Sequence, residues 1–183
     1  MGLLTGPRRA RVHALLGVPS APFPVGFDIA LNDVVAMFGE YRETDLEARQ
    51  WRGKTRLLLK RGALAPEGFW VAESIPEILE RLGVHNGNFV DVHLPVGVTR
   101  PRSSREWERP REEDEPSMEL APLYVNRDTI VKIGPSPVAH YLGRRLGRIY
   151  THDGSVFNLY EDLGTLRILV GPDVEEIPYF ERR

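Results

Sequence analysis

The 183-residue chain contains no cysteine. Disulfides, thiolate nucleophiles and cysteine metal sites are thereby excluded, and a reducing, cytoplasmic setting is the expectation. No apolar run approaches the ~18 residues that a membrane-spanning helix needs, so no membrane partner is expected. The apolar stretch behind the first arginines, HALLGV, is too short for a signal-peptide core. Gly2 is not followed by the hydroxyl residue of a myristoylation signal, because position 6 is Gly6. Net charge is only -2, so the molecule as a whole has no strong pull on a polyanion, and nucleic acid would have to bind a local patch. Also missing are a phosphate-cradling glycine loop, a GxSxG elbow and any self-similarity at solenoid spacing.

What is present divides the chain into segments. Residues 1–26 carry Arg8, Arg9 and Arg11, followed by Pro19, Pro22 and Pro24. Proline fixes its own backbone and restricts the residue before it, which predicts an extended basic arm. A short helix is predicted from Asp28 to about Phe38. Thr44 and Glu47 fit a capping box opening a helix to about Lys60, with Arg49, Arg52, Arg56 and Lys60 as its basic face. Ser74 and Glu77 form a second such box ahead of Ile75, Ile78, Leu79 and Leu82, and Gly83 ends that helix. Val90, Val92 and Leu94 alternate with Asp91 and His93, a strand pattern. Residues 99–119 are dense in arginine, carboxylate and proline, and read as a charged loop or linker with Trp107 as an anchor.

Order resumes with strands at 123–125 and 129–133. Ser136 and Pro137 are a helix start, predicting a helix with Val138, Leu142, Leu146 and Ile149 on one face and His140, Arg144 and Arg148 on the other. Asp153–Gly154 signals a tight hairpin turn, and 166–170 reads as a further strand. The tail ends on the aromatic pair Tyr179 and Phe180. The expected architecture is one α+β domain over residues 1–183. Its helices lie mainly before residue 85, and its antiparallel C-terminal meander has one helix packed against it.

Three functions fit these features. The first is a non-enzymatic interaction protein or assembly subunit, binding another protein through Arg8, Arg9, Arg11, Trp107, Tyr179 and Phe180. The second is an enzyme on a phosphate-bearing substrate. There His140 and His152 would be base and acid, and Arg144 or Arg148 would steady the developing charge. The third is a nucleic-acid module in which Arg49, Arg52, Arg56 and Lys60 meet the phosphate backbone. No cofactor is implied. Asp91 and His93 share a strand face, and with His85, His152 and Asp153 they include acceptable metal ligands, but no zinc-type spacing is present and no metal is expected.

Overall fold

A computed structural model describes residues 8–18, 20–39, 54–60, 68–84, 86–99, 117–136 and 145–178. Eleven strands and two α-helices occupy them. The strands are β1 (Arg9–Val18), β2 (Ala21–Ala30), β3 (Val34–Phe38), β4 (Thr55–Leu59), β5 (Phe69–Val71), β6 (Phe89–Thr99), β7 (Ser117–Asn126), β8 (Ile130–Pro135), β9 (Gly147–Thr151), β10 (Val156–Leu159) and β11 (Glu175–Glu176). The helices are α1 (Ile75–Arg81) and α2 (Leu163–Val170). One sheet runs β2-β1-β5-β4-β3-β7-β6 and a second runs β10-β9-β8-β11. All neighbours are antiparallel except β8 and β11.

The fold is α+β, but the helices are not gathered at the N-terminus. The segment expected to be a helix from Asp28 to Phe38 is the end of β2, a 3-10 turn (Leu31–Asp33) and β3. Val34, Val35, Ala36 and Met37 are all buried. An unbroken apolar run of this kind suits a strand covered on both faces, and periodicity alone does not separate it from a helix. The end of the expected 44–60 helix is β4, where Thr55, Leu57 and Leu59 are buried and Arg56 and Leu58 are half-buried, a period of two. The remainder of that segment, with Arg49 and Arg52, lies outside the described residues. The expected arm is extended from residue 9 onward, but β1 and β2 pair along their length as a hairpin. The expected strand at 166–170 belongs to α2, because Asp162 caps the helix by accepting from the Thr165 amide at 2.7 Å.

Other expectations hold. Ser74 starts α1, its amide and hydroxyl donating to Glu77 Oε2 at 2.7 and 2.8 Å. Gly83 follows at φ 62°. Asp153–Gly154 lies in the turn between β9 and β10, with Gly154 at φ 86°, a conformation only glycine adopts without strain.

The order β, β, 3-10 turn, β, β, β, α occurs twice. The first unit is β1 through α1 and the second is β6 through α2. The match extends to detail. Each third strand carries a register shift at its second residue, between Val34 and Ala36 and between Ile130 and Lys132. In the first unit Lys60 N donates to Asp33 O, and in the second His152 N donates to Thr129 O, both at 2.9 Å. Ala72 N donates to His13 O at 2.9 Å, and Tyr160 N to His93 O at 2.8 Å. Each helix buries one central residue completely, Ile78 and Leu166, and each is followed by a left-handed glycine, Gly83 and Gly171.

The units meet where β3 pairs with β7, Met37 lying opposite Tyr124. Two cores result. One is built on Val12, Leu57, Val71 and Ile78, the other on Val92, Leu123, Ile149 and Leu166. Strand β3 serves both, giving Val34 and Met37 to the first and Val35 and Ala36 to the second. Full burial of an aliphatic side chain stabilises by roughly 1.5–3 kcal/mol.

Candidate functional site

The polar groups that the fold concentrates are not those expected from sequence. His140 and Arg144 lie outside the described residues, as do Arg49, Arg52, Trp107, Tyr179 and Phe180. His152 is exposed on the β9–β10 turn. Arg148, expected on a helix face, is on β9. Its Nε donates to Asn158 Oδ1 at 2.8 Å, and its guanidinium sits 5.7 Å from the Tyr150 ring centre. Arg56 holds the corresponding place on β4, 5.9 Å from the ring centre of Phe38. Each guanidinium is thus held against an aromatic ring of its own. Lys60 is half-buried at the end of β4.

Arg8, Arg9 and Arg11 are exposed at the start of β1. The Arg8 guanidinium donates to the Gly83 carbonyl, and Arg11 stands 3.9 Å from Asp28 on the paired strand. Arg8 thus ties the start of β1 to the turn after α1, whereas the Arg11–Asp28 contact stays within the hairpin.

Two equivalent histidine–carboxylate pairs went unnoticed in the sequence. In the first unit Glu73 follows β5 and is buried at 4% exposure. It accepts from the His13 amide at 3.0 Å, approaches His13 Nδ1 at 2.6 Å, and accepts from Arg81 at 2.7 Å. In the second unit Glu161 accepts from the His93 amide at 3.0 Å and approaches His93 Nδ1 at 2.7 Å. Arg81 has no counterpart there, since Leu169 occupies its place. Burial pushes the Glu73 carboxyl up, but the His13 amide and ring and the Arg81 guanidinium outweigh it and hold it below its ordinary value. Each carboxylate spans from the strand–helix junction to the first strand of its unit and satisfies an amide that would otherwise lack a partner. One signal could have revealed them: V-H in the first strand of each unit, and a glutamate just before each helix cap.

A hollow of about 520 Å³ opens where the units join, lined by Ile75, Leu79, Glu80, Phe89, Asp91 and Tyr124 among others. Among the described residues no histidine lines it. Burial, and then the charge of Asp91, raise the Tyr124 phenol above its ordinary value. Among the described residues no three metal-ligating side chains gather, and no helix is long and apolar enough to cross a membrane.

The feature that stands out is apolar. Leu16, Val18, Phe23 and Val25 are 44%, 60%, 55% and 42% exposed. Leu16 lies opposite Phe23, Val18 opposite Ala21, and Ala14 opposite Val25. Cross-strand partners share a face, and residues two apart on a strand share a face, so these six side chains form one continuous ribbon. It continues the core face of the same hairpin, where Ala10, Val12 and Ile29 are buried.

Together these features define a duplicated α+β protein with two histidine–carboxylate locks and an overhanging apolar hairpin. No protein-family model, curated protein or solved structure matches the chain.

Proposed function

We propose that the chain is a non-enzymatic interaction subunit that engages another protein through the outer half of the β1–β2 hairpin. The one-faced ribbon of Leu16, Val18, Phe23 and Val25 carries this reading. Scattered exposed aliphatics are ordinary, but a contiguous stripe ending in a phenylalanine is the composition of an interface centre. In this reading the His13–Glu73 lock holds the hairpin's root rigid, so that the overhang is presented in one orientation.

The test is the size of the native complex. The chain drawn from its own source should elute with a partner, and Val18→Asp with Phe23→Asp should return it to its free mass with an unchanged circular dichroism spectrum. Elution unaffected by both substitutions would sink the reading.

One observation favours an enzyme on phosphate-bearing substrates as the second reading. His13 is held by a buried carboxylate with a guanidinium alongside, a histidine–arginine pairing of the kind such chemistry uses, although not at His140 and His152. Turnover of phosphomonoesters or phosphodiesters that disappears in His13→Ala, with folding intact, would support it. Absence of turnover across both substrate types would remove it.

A further inference from the structure

The β3–β7 joint inside the chain provides the pattern for a second joint between chains. Which peptide groups of β2 face outward follows from the hydrogen bonds. His13 O accepts from Ala72 and His13 N donates to Glu73, so the odd-numbered peptide groups of β1 face β5. The even-numbered groups face β2. Through the register, residues 23, 25, 27 and 29 of β2 point back to β1, and Pro22, Pro24, Gly26 and Asp28 present their backbone to the open edge. The same reasoning in the second unit turns Pro122 and Tyr124 of β7 outward. There the outward edge is occupied: Tyr124 lies opposite Met37, and Gly39 N donates to Pro122 O at 3.0 Å.

Equivalence of the units pairs Gly26 with Pro122 and Asp28 with Tyr124. It likewise pairs Ile133 with Met37 and Pro135 with Gly39. The β2 edge is therefore the counterpart of β7, and the β8 edge is the counterpart of β3. On β2 that edge meets no strand among the described residues. On β8, among the described residues, it is covered only by the two residues of β11, the one parallel neighbour there. Ile177 N donates to Ile133 O at 2.8 Å, taking the acceptor that an incoming Asp28 amide would use. Around it, Glu175 pairs with Lys132 at 3.1 Å and Glu176 with Arg167 at 2.6 Å. Unpaired edges template further pairing, and repeated units need a cap at their ends.

We infer that residues 174–177 are a strap over the β8 edge, and that on its release β8 pairs head-to-tail with the β2 edge of a second copy of this chain. The register places Ile133 opposite Asp28 and Pro135 opposite Gly26. Pro135 lacks a donor where Pro122 lacks one inside the chain, so each joint keeps one bond at that position, running in opposite directions. Pro22 and Pro24 stop the ladder beyond Gly26. Asn126, which locks the internal joint by donating to Leu31 O and Val34 O, is replaced by Ala30 in the joint between chains. That joint is accordingly weaker and reversible. The inference deepens the reading of the chain as an assembly subunit and rests on it, but it uses a different surface from the apolar ribbon.

The experiment is light scattering after size exclusion on the full-length chain. Two variants release the strap: Ile177→Pro, which removes the donor to Ile133, and the double substitution Glu175→Lys with Glu176→Lys, which reverses both ion pairs. Either, if folded by circular dichroism, should give a mass of two chains or more that rises with concentration. Adding Asp28→Pro, which deletes an outward amide and leaves the β1 ladder intact, should restore the single-chain mass. Folded variants that keep the single-chain mass would overturn the inference, as would assembly indifferent to Asp28→Pro. Loss of partner binding in the hairpin-tip variants, with no strap effect, would leave the functional reading standing and the strap rejected.

Discussion

Asn126 offers the sharpest test of how the two units are held together. It is 1% exposed at the end of β7, and its amide donates to Leu31 O at 3.1 Å and Val34 O at 2.8 Å, both in the first unit. Its side-chain oxygen accepts from Asp128 N at 3.1 Å. Asn126→Ala strips all three bonds. The Asp128 amide lies nearer the surface and can turn to water, so the cost comes mainly from two buried carbonyls. At about 1–1.5 kcal/mol for each, the loss is roughly 2–3 kcal/mol. For a chain of this size that lowers Tm by about 4–12 °C, at ~2–4 °C per kcal/mol.

Asn126→Asp sharpens the point, because it sets a carboxylate against two carbonyl oxygens. The folded variant favours the protonated acid, which can still donate, so the folded pKa of that residue lies above the unfolded value of ~3.9. Its stability is therefore best below that pH and falls as pH rises through the folded pKa. Urea unfolding of both proteins at pH 4 and pH 7 should show the deficit against wild type widening at pH 7. Every other titrating group is common to the two proteins and cancels. An Asn126→Ala variant within about 0.5 kcal/mol of wild type, or a deficit for Asn126→Asp that ignores pH, would refute the clamp.

The remaining predictions concern the lock and the packing. Glu73 has a depressed folded pKa, so its contribution is present above its unfolded value of ~4.3 and disappears as pH falls through the folded value. Glu73→Gln should accordingly flatten the acid limb of a stability–pH curve measured by urea unfolding, and a limb of unchanged slope would count against the assignment. A Cβ on Gly147 would lie 2.5 Å from Leu166 Cδ1 and 2.6 Å from the Glu161 carbonyl, so Gly147→Ala should cost about 1–3 kcal/mol or more. Gly87→Ala meets nothing within 4 Å and should stay within about 0.5 kcal/mol of wild type, which makes it the control in the same thermal melt.

How much of this was legible in the sequence depended on whether the signal was local. The Ser74–Glu77 box, the alternation at Val90–Leu94 and the Asp153–Gly154 turn rest on neighbouring residues, and each appears where expected. The failures are short apolar runs. Leu57, Leu58 and Leu59 fit a helix face and a strand equally well, and Leu166 to Val170 offered the reverse ambiguity. Only tertiary partners decide such runs. The duplication hid for another reason. His13 and His93, or Glu73 and Glu161, are equivalent, but the spacing between such matches changes along the chain because the intervening loops differ in length. No fixed period exists to be found. The candidate site was less legible still, since the apolar ribbon is defined by cross-strand register and exposure.

Strand β3, whose two faces serve different cores, has a consequence for how the protein is lost as well as how it is held. A cut before β6 takes the Val35 and Ala36 face away from the second core, whereas the buried set of the first loses only Phe89. A fragment beginning at β6 should then be an open shell, because the strand that walls its core stays behind with the other unit.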